Sequence, residues 1–174
     1  MKRVFRGAAG LAAIAALTMT ACAQTNGRGA TKLMLNGKEV AIEYGRPSLR
    51  RRTVDQLLAE LNPGDVWRVG ADRSTTFTAA TELAFGNTTV PAGQYSLWVR
   101  KEADRSWKLV FNKQHGQWGT DHDAAQDFVA VPLKQEKGAK PVDLVTISLG
   151  KEQDGGEIAI QWGQMKLTTT FKAK

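Results

Sequence analysis

A chain of 174 residues with 42% apolar content has the length of one domain and enough apolar surface for one core. The formal charge is +7, but Lys2, Arg3 and Arg6 lie in a leader that export would remove, so 21 of the 24 basic residues face 17 acidic ones, a balance of +4. No nucleic-acid partner is expected, because the remaining basic run, Arg50-Arg51-Arg52, has no interleaved aromatics to stack on bases and reads as a solvated turn.

Residues 1–21 have the order of an export signal: a basic start, an Ala-rich apolar run from Gly7 to Ala21, and small residues around Cys22. The run is shorter than the ~20 residues of a transmembrane helix, so export is expected and not a permanent span. Two processing outcomes compete. Met19-Thr20-Ala21-Cys22 resembles a bacterial lipobox, in which the Cys22 thiol takes a diacylglyceryl group and becomes the first mature residue. Ala21-Cys22-Ala23 fits the A-x-A pattern and would release a soluble exported protein starting at Gln24. Lipidation is favoured, since a lone thiol in an exported chain otherwise has no evident role. The expected address is therefore the periplasmic side of the cell envelope, with the membrane as partner through the acyl chains. By resemblance to lipoprotein sorting in Gram-negative cells, Ala23 beside the cysteine points to the outer membrane.

Residues 22–31 are polar and Gly-containing and read as a flexible tether, with the domain spanning 32–174. Lys32 to Leu35 and Lys38 to Tyr44 flank Asn36-Gly37, the pair that supplies a type I′ hairpin. In the second strand Val40, Ile42 and Tyr44 share one face. Pro47 ends it, and a helix follows: Thr53 and Gln56 have capping-box spacing, with Val54, Leu57, Leu58 and Leu61 on one side, up to Asn62-Pro63-Gly64. Strand-like runs then recur at Val66 to Val69, Thr75 to Ala79, Glu82 to Phe85, Gln94 to Arg100, Trp107 to Asn112, Phe128 to Leu133, Asp143 to Leu149, Glu157 to Trp162 and Met165 to Lys172. Gly163-Gln164 is expected to join the last two as a type II′ turn. The fold class is all-β: an antiparallel β-sandwich or jelly-roll-like domain with one short helix.

Along these strands run Tyr44-Gly45-Arg46-Pro47, Val66-Trp67-Arg68-Val69-Gly70-Ala71-Asp72, Thr75-Thr76-Phe77, Val90-Pro91-Ala92-Gly93-Gln94-Tyr95-Ser96-Leu97, Asn112-Lys113-Gln114, Gly116-Gln117-Trp118-Gly119 and Asp127. In this order, over Glu39 to Phe171, they resemble the DUF2911 family of exported bacterial proteins. The resemblance implies an exported β domain and assigns no catalytic residue. Asp72 stands where the family often has Asn, and His122 where it often has Tyr.

Asn112 to Phe128 concentrates the chemically capable side chains: His115, His122, Trp118, Asp121, Asp123 and Asp127, punctuated by Gly116 and Gly119. The aspartates do not form an EF-hand, because Ala125, Gln126 and Pro132 occupy a ligand position, the turn glycine and the bidentate glutamate. Two histidines without an H-E-x-x-H helix or thiolates do not define a zinc site, so neither metal nor cofactor is expected. No G-x-S-x-G elbow suggests a serine hydrolase. Asp72, Glu82, Asp121 and Asp127 could supply the paired carboxylates of a glycoside hydrolase, the alternative function kept open.

Trp162 follows Ile158 and Ile160 in phase and reads as core, whereas Trp98 is out of phase with Tyr95, Leu97 and Val99 and is expected to be partly exposed. Trp67 beside Arg68, and Trp118 between Gln117 and Gly119, sit at turns beside polar groups. The expected ligand-binding set is Trp67, Arg68, Asp72, Trp118, Asp121 and Asp127, for a small polar ligand or envelope partner, with no catalytic residue. The plainer reading has Trp67 and Trp118 plugging the end of the sandwich, with Arg68 and Asp127 as a buried pair.

Overall fold

The computed structural model describes residues 27–174. They form the expected antiparallel β-sandwich with one short helix: β1 (Arg28–Leu35), β2 (Lys38–Gly45), α1 (Val54–Leu58), β3 (Val66–Arg68), β4 (Thr76–Ala79), β5 (Leu83–Phe85), β6 (Thr88–Val90), β7 (Gly93–Lys101), β8 (Trp107–Asn112), β9 (Asp127–Glu152) and β10 (Gly155–Ala173). Strand order is β1-β2-β4-β7-β8-β9-β10-β5-β6, with β3 added to β7. Cys22 and the leader lie outside the described residues.

The β1–β2 hairpin turns at Asn36 and Gly37, with φ of 50° and 77°, and pairs Leu35 with Lys38. β1 starts at Arg28, inside the segment expected as tether, because backbone pairing asks nothing of composition there. Gly29 lies opposite Tyr44, and the absent side chain leaves room for the Tyr44 ring and the Arg46 stem. Thr53 and Gln56 complete the capping box of α1, which is only five residues long. Leu61 lies beyond it, joined by a hydrogen bond to the Leu58 carbonyl.

The second difference from expectation concerns the last third of the chain, where four predicted strands are two. β9 and β10 form one long ribbon, and Gly163, φ 57°, is no hairpin turn. β10 advances four residues from Gln161 to Met165 while β9 advances nine from Lys137 to Thr146, so the ribbon is heavily bulged at this corner. It folds over there: Gly155 backs onto the Phe171 and Lys172 backbone so closely that no Cβ fits. The two ends of β10 are thus brought back against each other, as when a strand turns a corner through a bulge. The positive φ that suggested a turn is used for a corner instead.

The folded-over half of the ribbon leaves one β9 edge without a strand partner; the backbone of residues 47–49 meets part of it, and side chains of β1, β2 and Arg46 just beyond β2 meet the rest. Arg46 Nε donates to the Val145 carbonyl at 3.3 Å, the Tyr44 hydroxyl to the Ile147 carbonyl at 3.1 Å, and Thr31 Oγ1 accepts from the Leu149 amide at 3.1 Å. Residues 145, 147 and 149 present their polar groups to the same edge because strand periodicity is two. Between the layers, Phe111 touches Phe77, Phe85 and Tyr95, and Phe85 touches Phe171, with ring centroids 5.2–6.0 Å apart. Leu97, Leu109, Val131, Ile158, Ile160 and Leu167 complete this core.

Candidate functional site

β7 is apolar on one face with Tyr95, Leu97 and Val99, and carries Ser96 and Trp98 on the other. Cross-strand pairing adds Arg68 beside Trp98, and Thr76 and Asn112 beside Ser96, to that outer face. It should be wet, yet Ser96 and Asn112 are fully buried and Trp98 is 3% exposed. The partly exposed Trp98 expected from its phase is therefore corrected. Its phase is as expected, but the loop between β8 and β9 folds back over it.

Polar contacts, not a second sheet, hold this cover. The Asn112 amide group donates to the Asp123 carbonyl at 2.8 Å and to Asp127 Oδ1 at 2.7 Å, and its oxygen accepts from the Gln114 amide at 2.9 Å. Asp127 Oδ1 is also 2.9 Å from His122 Nε2, within hydrogen-bonding distance. The His122 ring lies over Trp98 with centroids 4.7 Å apart, and Trp98 Nε1 donates to Ser96 Oγ at 2.8 Å. Gln117 reaches Ser96 Oγ with its NH2 group and accepts from Ser74 Oγ with its oxygen. Among the described residues Gln114 Oε1 is the one buried side-chain nitrogen or oxygen without a hydrogen-bond partner, and the other polar groups under the loop hold it through particular, directional contacts.

The 66–77 segment meets this loop along its backbone. The Gly119 amide donates to the Asp72 carbonyl, the Ser74 amide to the Gln117 carbonyl, and Arg73 Nη1 to the Gly116 carbonyl at 2.9 Å. Asp72 holds φ 62°, a left-handed conformation that Asp tolerates better than most residues.

Of the six expected ligand-binding residues, four gather here. Trp118 is 53% exposed. Arg68 runs past Gly119, where an added Cβ would lie 3.4 Å from its Cδ, and no carboxylate among the described residues comes within ion-pairing distance of it. Asp121 is exposed and follows Trp118 in a turn closed by a 3.0 Å hydrogen bond, and Asp72 is exposed beside Gly119. The other two lie elsewhere. Trp67 faces the opposite side of its strand and stacks on Trp162 at 5.6 Å and 4°, so its ring belongs to the core. Asp127 is under the loop, and its partner is His122 where the plainer reading had Arg68.

The remaining candidates have local duties. Asp123 caps the single 3₁₀ turn Ala124–Gln126 by accepting from the Ala125 amide, Glu82 pairs with Lys174, and His115 is exposed. Among the described residues no group of three His, Cys, Asp or Glu side chains could hold a metal ion. Sequence reasoning missed Ser74, Ser96 and Asn112. For Ser96 and Asn112 the signal was a small polar residue at an outward position of an otherwise apolar strand, whereas Ser74 lies outside the strands, ahead of β4, and had no such signal.

A curled sheet covered on its inner face by a folded ribbon and on its outer face by a polar-locked loop defines an antiparallel β-sandwich, with the candidate residues grouped on its outer face. The chain belongs to the DUF2911 family, described as a protein of unknown function, whose model matches residues 28–171. No curated protein and no solved structure is similar enough to the chain to add to this.

Proposed function

We propose that this is a non-catalytic binding protein of the cell envelope, exported by its leader and held by acyl chains on Cys22, that presents a small polar ligand or envelope partner with one site on its outer face. The site is Trp118 flanked by Arg68, Asp72 and Asp121. The observation that carries this reading is a tryptophan left 53% exposed at the tip of a loop whose underside is locked by buried polar contacts. Single exposed apolar side chains are ordinary, but a rigidly held indole beside an uncommitted guanidinium is a pre-organised pair. The ring offers a stacking face, and Arg68 offers charge-assisted donors that fix orientation. Asp127 contributes indirectly, by holding the loop through Asn112 and His122.

The test is a thermal-shift screen of glycans and small polar ligands on residues 24–174, which include every described strand. A ligand at about one hundred times its Kd should raise the melting temperature by roughly 5–10 °C. Trp118→Ala and Arg68→Gln should each abolish the shift while melting normally without ligand. A shift surviving both changes would move the site elsewhere, and a screen without any shift would remove the small-ligand reading. Mass spectrometry of the mature N-terminus tests the anchor, with Cys22 acylated if the reading is right and Gln24 first if it is wrong.

A further inference from the structure

We propose that the Arg50-Arg51-Arg52 turn docks on the anionic phospholipid headgroups of the membrane in which the chain is anchored, an inference that rests on the reading of Cys22 as the anchor. All three arginines are exposed, and none has an ion-pair partner among the described residues. Arg50 and Arg51 hold φ of 49° and 67°, in the left-handed region that side chains other than Gly, Asn and Asp seldom occupy.

The turn is built to keep that shape. The Arg50 amide donates to Ser48 Oγ, which itself donates to Asp143 Oδ2 at 2.6 Å, while the Leu49 amide bonds the Asp143 carbonyl and the Arg52 amide the Leu49 carbonyl. Asp143, which accepts from Ser48, and Asp55, in the first turn of the adjoining helix, are the acids of this framework, two negative charges against three positive ones. Arg50 and Arg51 therefore stand exposed on a fixed turn, Arg52 beside them folds its Nε back on the Leu49 carbonyl at 3.3 Å, and the turn keeps a net positive charge.

What chooses a lipid surface over another polyanion is where the chain comes from. The Gly27 carbonyl accepts from the Arg46 amide at 3.2 Å, so the described chain begins only four residues, by this contact, from Arg50. Cys22 precedes Gly27 by five residues, which reach at most about 17 Å when fully extended. Arg28, also exposed, lies at the same place. An acyl chain on Cys22 would thus keep this end of the sandwich close to the headgroups, where basic side chains are attracted within about a Debye length. Basic residues plus acyl chains form the two-signal arrangement that makes membrane attachment firm.

Cys22 is the single cysteine of the sequence, so a chain beginning there can be coupled through its thiol to a maleimide phospholipid in vesicles. Arginine modification by a dicarbonyl reagent, located by mass spectrometry, is then compared on phosphatidylcholine vesicles with and without phosphatidylglycerol. Arg50, Arg51 and Arg52 should react at least about fivefold more slowly on the anionic vesicles, with the protection lost at high salt. Arg105, exposed in the β7–β8 turn, should be unaffected. Equal rates on both vesicles would overturn the proposal, and so would equal protection of Arg105. Protection on neutral vesicles by inorganic phosphate alone would make the turn a free-anion site and also overturn it. A native N-terminus at Gln24 would sink the anchor separately, whatever the vesicles show.

Discussion

The two faces of β7 are both buried, but in different ways. Tyr95, Leu97 and Val99 are covered by the folded ribbon through apolar packing, whereas Ser96 and Trp98 are covered by the 113–126 loop through hydrogen bonds. Apolar packing is non-directional and tolerates exchange of side chains of similar volume. The polar cover is directional, so each partner is particular, and losing one strands another in a site closed to water. The inner face therefore sets how stable the domain is, and the outer face sets where Trp118 points.

Substitutions on adjacent residues of β8 should separate the two. Phe111→Ala empties the centre of the ring cluster at a fully buried position and should cost about 3–5 kcal/mol, the largest effect expected of any single change here. Denaturant unfolding measures it, and amide exchange should rise throughout the sheet. Asn112→Ala removes the two donors and one acceptor that tie together Asp123, Asp127 and Gln114, and should cost about 2–3 kcal/mol. Its exchange signature should be local, with residues 113–126 opening while β7 and β8 stay protected. If Asn112→Ala instead loosened the whole sheet, the distinction between the faces would collapse.

The ribbon edge is an intermediate case, since its cover is polar yet its location is structural. Tyr44→Phe keeps the buried ring and deletes the hydroxyl that reaches the Ile147 carbonyl. The expected loss is about 1 kcal/mol, seen as faster exchange over 144–150. No change in exchange there would mean that the Tyr44 hydroxyl does not help to hold the ribbon edge, leaving it to Arg46 and Thr31.

This division also explains what could be read from sequence. The alternation of Val40, Ile42 and Tyr44, the Asn36-Gly37 turn and the Thr53 capping box act through near neighbours, and each appears where its residues indicate. Gly163 announced a positive φ correctly, but whether that φ closes a hairpin or bends a ribbon depends on β9, some twenty residues away. Trp67 and Trp118 share the same sequence signal, a tryptophan beside a polar turn. Only tertiary contacts distinguish them, because Trp67 finds Trp162 and Trp118 finds water. The buried outer face was the least legible part. Phase identifies Ser96 and Trp98 as outward-facing, and nothing local says that a loop will cover them.

Farther along the same outer face the cover ends, and charged pairs take over from buried hydrogen bonds. Glu102 lies 2.9 Å from Arg100 and 3.6 Å from Lys108. The hydrogen bond from Arg100 chiefly, and the positive charges of Arg100 and Lys108 with it, hold its carboxyl below the ordinary value of 4.5, against a smaller opposing effect of burial. A carboxyl whose folded pKa is depressed adds stability that is fully present above the unfolded value and is lost as pH falls through the folded one. Acid titration of stability should therefore be shallower in Glu102→Gln below about pH 4.5, by no more than about 1 kcal/mol because the pair is partly solvated. At pH 7 the variant should lose that same small amount and become less salt-sensitive. Identical acid profiles for the two proteins would show that this end of the face contributes nothing measurable, leaving the loop as the only part of the outer face that the fold depends on.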